Sequence, residues 1–236
     1  MKYIFFDLDG TLVDSSEGIE TTFLHTFKVL GVPAPDKETI RTFMGPPLEV
    51  TFTNHLPKEL VTKAVEIYRT YYKETGQQQT YLYPGIKELL QQLKELGYHL
   101  FITTSKNQEV SLEIAHSLGI SDCFEGIYGS IPGSMHKADI IQRVLVDHQI
   151  PKEEACIVGD TKFDIIGGKT IGIHTIAVSW GFAPLEQLKE ETPDTIVDSP
   201  PSFTDSFKLI KEVYKFVNLF YVRNHACVRV SMVQQG

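Results

Sequence analysis

The stretch YIFFDLDGTLVDSS, residues 3–16, decides how the rest of the chain is read. Tyr3–Phe6 is a short apolar run that predicts a fully buried strand. It ends in Asp7 and Asp9, with a third acid at Asp14. Unpaired charge next to a core is expensive, so these carboxylates need a cation, a metal or a chemical task. Strand alternation should put Asp7 and Asp9 on the same side of the chain as it leaves the sheet. Asp14 belongs instead to the chain's turn into the next helix.

Beyond this strand the pattern first becomes helical. Ser15 and Ser16 offer an N-cap, and Ile19, Phe23, Phe27 and Leu30 recur at helical spacing until Gly31 stops the helix. Residues 36–76 show no β-alternation and predict further helices, broken at Gly45-Pro46-Pro47 and at Pro57. YLYPG, residues 81–85, has the composition of a hinge. From there strands and helices alternate: helix 86–96, strand 98–103, helix 109–118, strand 126–128, helix 138–148, strand 155–158, helix 163–171 and strand 175–178. Alternation of this kind argues for an α/β fold, a doubly wound, Rossmann-like parallel sheet covered on both faces. An all-helical segment is inserted after its first strand. The expected organisation is a core of residues 1–13 and 85–217, a helical segment of 14–84, and a tail, 218–236, of unassigned role.

Bulk properties narrow the function. The 236 residues are 42% hydrophobic and 22% charged, which is ordinary globular composition. A formal net charge of −8 argues against nucleic acid or an anionic membrane as partner. A small anionic substrate stays allowed, because a metal or a local group of donors overrides the global sign. Three cysteines without CxxC spacing suggest neither a disulfide framework nor a zinc site. Only four apolar residues precede Asp7, and no charge-free stretch has spanning length. The expectation is a soluble cytoplasmic protein.

In doubly wound folds ligands sit beyond the carboxyl ends of the strands. Those ends here carry Asp7-x-Asp9-Gly10-Thr11, Thr103-Thr104-Ser105-Lys106 and Gly159-Asp160-x-x-x-Asp164, with Lys137 opening a helix between the last two. Each alone has an ordinary reading as a cap, a turn or a solvated side chain. Together they suit phosphoryl transfer assisted by a hard divalent cation, which takes one or two carboxylates plus phosphate and water. One Asp can be the nucleophile, and a second acid two residues on can serve the leaving oxygen. Thr104 and the nearby backbone N–H groups can hold phosphate oxygens, Ser105 is a further substrate-binding candidate, and Lys137 supplies positive charge. Gly10 and Thr11 would line the same site. Two decoys are set aside. Gly168-Lys169-Thr170 has Phe163 where a P-loop needs glycine, and it falls late in a helix. The eight histidines, including His136 beside Lys137, show no metal-ligand spacing.

The order DLDGT, strand-end hydroxyl, lysine, GDxxxD resembles the haloacid dehalogenase-like phosphohydrolases over residues 2–216. The resemblance implies Asp7 as nucleophile and Asp9 as general acid/base. It implies Thr104 as the second-motif hydroxyl, with Thr103 as the alternative register, and Lys137 as the third-motif lysine. Mg²⁺ would be held by Asp7, the main-chain carbonyl of Asp9, Asp160 and Asp164, and the helical insert would be a cap that selects substrate. FMGPPLEVTF (43–52), LYPGI (82–86), TTSKNQ (103–108) and MHKADII (135–141) resemble the phosphoglycolate phosphatase and 5′-nucleotidase branch. The function so implied is a Mg²⁺-dependent phosphatase acting on a small phosphorylated metabolite, with a β-phosphoglucomutase-like mutase as the alternative. A catalytically idle module would be expected to lack Asp7, Asp9 or Asp160. A dehalogenase would need neither Asp9 nor the magnesium acids.

Overall fold

The computed structural model describes residues 1–203. The tail expected at 218–236 lies outside the described residues. In chain order the elements are β1 (Tyr3–Phe6), β2 (Val13–Asp14), α1 (Ser16–Leu30), α2 (Lys37–Arg41), α3 (Leu48–His55), α4 (Lys58–Glu74), β3 (Tyr81–Leu82) and α5 (Ile86–Glu95). Then follow β4 (His99–Asn107), α6 (Gln108–Ser117), β5 (Gly126–Ser130), α7 (Lys137–Asp147), β6 (Ala155–Gly159), α8 (Lys162–Ile171), β7 (His174–Val178), α9 (Leu185–Glu190) and β8 (Thr195–Val197).

Six strands form one sheet in the order β5-β4-β1-β6-β7-β8, every pair parallel. β1 lies inside it, and the chain builds outward from β1 on one side before crossing to the other. Its burial follows from the period of two. Ile4 and Phe6 point into a core shared with Leu89 and Leu93 of α5 and Ile114 of α6. Phe5 points the other way, against Phe101, Ile157 and Val144 of α7. Neighbouring residues of one strand thus serve opposite layers, which is why the run is continuously apolar. Phe5 and Phe101 meet edge to face at 5.6 Å. Truncating Phe5 to alanine would cost about 3–5 kcal/mol.

The register fixes the site. Phe6 stands opposite Ile102 on one side and Val158 on the other, so one step further brings Asp7, Thr103 and Gly159 to a common edge. The Asp7 N–H still donates to the Val158 carbonyl at 2.8 Å, which ties Asp7 to the sheet rather than to a loop.

Four differences from the sequence expectation have physical reasons. β4 runs on to Asn107, past the expected end at Thr103. Its polar extension is held by Asn107 pairing with Ser130 after a register irregularity. Ser15 occupies the N-cap position of α1 but does not cap it, because its hydroxyl donates to Asp9 Oδ1 at 2.6 Å. Asp14 instead accepts from the Ser16 N–H and hydroxyl at 3.0 and 2.6 Å. The expected hinge at 81–85 includes β3, which pairs antiparallel with β2, Asp14 opposite Tyr81. β8, short and weakly patterned, extends the sheet beyond residue 178, with α9 leading into it. Among the described residues no helix is long and apolar enough to cross a membrane.

Candidate active site

Lys137 is the centre of the arrangement. It is the first residue of α7, and its side chain is 3% exposed. Its Nζ lies 2.9 Å from Asp7 Oδ1, 2.8 Å from Asp164 Oδ1 and 2.7 Å from the Thr103 carbonyl, to which it donates. Burial works to lower the Lys137 pKa, but Asp164 and Asp7 overcome it and hold the ammonium above its ordinary value.

Asp160 approaches from the end of β6 and is fully buried. The Thr11 hydroxyl donates to its Oδ1 and the Phe182 N–H to its Oδ2, each at 2.8 Å. Its carboxylate is pressed between two glycines. A Cβ on Gly10 would fall 2.1 Å from Asp160 Oδ2, and one on Gly181 would fall 2.3 Å from Asp160 Cβ. Gly10 also has φ +80°, a left-handed conformation that side chains rarely adopt. Asp164 turns its Oδ2 to the Thr161 N–H and hydroxyl at the start of α8. Oxygens of Asp7, Asp160 and Asp164 lie within 4.8 Å of one another.

Three buried carboxylates against one ammonium leave surplus negative charge. Burial pushes the Asp7 pKa up to about 6, with Lys137 opposing, and burial followed by repulsion from Asp164 and Asp7 pushes Asp160 well above the usual carboxylate range. An all-oxygen donor set with unneutralised charge fits a hard divalent cation such as Mg²⁺.

Asp9 faces a different neighbourhood. Lys106, from the extension of β4, reaches its Oδ2 at 2.8 Å and its Oδ1 at 3.1 Å. The same ammonium contacts the Tyr72 hydroxyl of α4 at 2.8 Å and sits 4.2 Å from the Tyr72 ring centroid. Burial works to lower the Lys106 pKa, and Asp9 and Tyr72 raise it further than burial lowers it. Asp7, Asp9, Thr104 and Ser105 line one cavity of about 320 Å³, together with residues of α1, α4 and the 43–49 segment.

The sequence-predicted residues therefore divide. Asp7, Asp9, Thr104 and Ser105 line the cavity, while Lys137, Asp160 and Asp164 lie beside Asp7 outside the lining. Of the two registers, Thr104 lines the cavity while Thr103 contributes a carbonyl to Lys137. Thr11 and Gly10, expected to line the substrate, are turned to Asp160 and lie outside the cavity lining. Gly168 is helical, and a Cβ there would meet Ile157 and Thr175, consistent with a packing role. His136 is exposed at the N-cap of α7. Sequence reasoning missed Lys106 and Tyr72. Lys106 stood in the quoted strand end, but only the extension of β4 aims it back at Asp9; Tyr72 carries no local signal, since only the fold of α4 brings it near.

Comparison with known proteins agrees with this geometry. A family model described as haloacid dehalogenase-like hydrolase matches residues 4–178. A 5′-nucleotidase of Pseudomonas aeruginosa is 34% identical over 80% of this chain and 88% of its own length. A phosphoglycolate phosphatase of Vibrio parahaemolyticus is 29% identical over 84% of this chain and 92% of its own. Among solved structures, a haloacid dehalogenase-like hydrolase from Streptococcus pneumoniae superposes with a TM-score of 0.84 at 48% identity, covering 88% of this chain and 98% of that one. With the motifs, the parallel sheet and these relatives in agreement, the chain belongs to the haloacid dehalogenase-like hydrolase family.

Proposed function

We propose that this chain is a Mg²⁺-dependent phosphatase that hydrolyses a small phosphomonoester through a phosphoaspartate on Asp7. The observation that carries the reading is the side-by-side placement of Asp7 and Asp9 at one cavity, Asp7 backed by Lys137 and Asp9 by Lys106. Phosphoglycolate and nucleoside 5′-monophosphates, the substrates named by two relatives, are the starting candidates.

In this reading Asp7 Oδ attacks phosphorus while the bond from phosphorus to the leaving oxygen breaks. Asp9 gives that oxygen its proton. Asp9, now a carboxylate, takes a proton from water, whose oxygen attacks phosphorus and releases Asp7. Thr104 and Ser105 bind phosphate oxygens and fix the line of attack. Lys137 holds Asp7 in place and offsets its charge. Asp7, Asp160 and the Asp9 carbonyl would hold Mg²⁺, with Asp164 beside them. When bound, the ion neutralises the surplus carboxylate charge and the charge on the phosphoryl oxygens. Residues 14–84 act as the cap over this site, and residues 1–13 with 85–217 as its catalytic core.

The test is phosphate release from p-nitrophenyl phosphate with Mg²⁺. Hydrolysis should stop with EDTA and vanish in Asp7→Asn. Undiminished hydrolysis by Asp7→Asn overturns the mechanism. Net release also separates a hydrolase from a mutase, which would return the phosphoryl group to its product.

A further inference from the structure

We infer that the leaving group of the natural substrate is uncharged and carries a flat ring, and that a second anionic group, as in phosphoglycolate, is selected against. This rests on the phosphatase reading and narrows it. Among the described residues three cations line the cavity, and each already holds a carboxylate: Arg69 on Glu49 at 2.5 Å, Lys73 on Glu113 at 3.2 Å and Lys106 on Asp9 at 2.8 Å. Four carboxylates line it as well: Asp7, Asp9, Glu49 and Glu109. A carboxylate on the leaving group would meet no uncommitted cation among these residues and would be repelled by the four carboxylates.

The remaining wall suits a ring. Phe43, Phe23, Tyr68 and Tyr72 run in sequence along it, with centroid separations of 5.0, 4.7 and 5.8 Å, and Tyr68 and Tyr72 are nearly parallel at 5°. Ile19 and Leu48 add aliphatic surface. The cavity, about 320 Å³, lies at the lower end of the range of roughly 300–1,000 Å³ seen for small-molecule sites. Phe43, Phe23 and Tyr72 are already buried within the core, so the apolar surface still open to the cavity comes from Tyr68, Leu48 and Met135, and a ring would cover more of it than a two-carbon leaving group.

The test compares kcat/KM, by phosphate release at fixed Mg²⁺, for benzyl phosphate, a nucleoside 5′-monophosphate and phosphoglycolate. All three release primary alkoxides, so differences report the wall rather than leaving-group chemistry. The ring-bearing esters should exceed phosphoglycolate by roughly tenfold or more. Parity, or preference for phosphoglycolate, overturns the inference while leaving the hydrolase reading intact. No phosphate from any ester overturns the hydrolase reading itself, and the inference with it. A variant tests the charge argument on the Arg69–Glu49 pair, which is open enough to solvent that folding is not at risk. Glu49→Gln frees Arg69 and should shift the kcat/KM ratio toward phosphoglycolate by roughly threefold or more. An unchanged ratio overturns the assignment of selectivity to these paired charges.

Discussion

Lys106 Nζ grips both oxygens of Asp9, at 2.8 and 3.1 Å, although 97 residues separate the two in sequence. One ammonium thereby holds the side chain proposed to move the proton, while its other contact is a tyrosine of α4. Lys106→Met should leave Mg²⁺ affinity near the parent value and lower kcat about 10–100-fold, because Asp9 loses its positioning partner. Titration calorimetry together with steady-state kinetics checks this. A variant that turns over normally removes Lys106 from the machinery.

Among the described residues Lys137 is the only ammonium in contact with Asp7 and Asp164, and its side chain is 3% exposed. Lys137→Met leaves those carboxylates uncompensated, and breaking a buried pair from one side costs about 3–5 kcal/mol. Urea denaturation in EDTA should show a loss of this order, and added Mg²⁺ should recover part of it.

Burial lifts the folded Asp7 pKa to about 6 from an unfolded value of 3.8. The folded state therefore holds this proton more tightly. Its contribution to stability is complete below pH 3.8 and is lost as pH rises through about 6. In metal-free protein, Asp7→Asn removes that loss. The variant should become progressively more stable than the parent between about pH 4 and 6, with the difference level above that window. Parallel denaturation curves across these pH values would refute the sign.

Gly10 leaves no room for a methyl group against Asp160 Oδ2. Gly10→Ala should displace the Asp160 carboxylate, weaken Mg²⁺ binding by an order of magnitude or more and spare the sheet, whose strands Gly10 does not join. Calorimetric titration with Mg²⁺, beside a far-UV spectrum of unchanged strand and helix content, distinguishes a lost site from a lost fold.

Much of this was legible in the sequence because buried parallel strands announce themselves. Tyr3–Phe6 is apolar on both faces, and the acids that follow it mark where the sheet ends. Lys137 and Asp160 stood out for a related reason, one opening a helix and the other following a strand, and Thr104 because the apolar part of β4 stops just before it. What escaped notice depends on distance through space. Lys106 acts through a strand that outruns its apolar residues, held there by Asn107 pairing with Ser130. Ser15 looked like a helix cap because serine before a helix usually is one, and only the turn after Asp9 brings a stronger acceptor to its hydroxyl. Thr11 and Gly10 sit within a motif whose two acids face the cavity, yet the tight turn at Gly10 aims both at Asp160. β2 and β3, two residues each, are too short for any periodicity to register.

That smallest ladder has a consequence of its own. The helices α1–α4 leave the sheet at Val13–Asp14 and return at Tyr81–Leu82, and these two exits are bonded to each other. The sheet therefore feels the whole excursion as though it were a single hairpin bend. If residues 14–84 form the proposed cap, their length and sequence could change while this ladder keeps both exits in place. Such a change would reach the site where Tyr72 of α4 touches the lysine that holds Asp9.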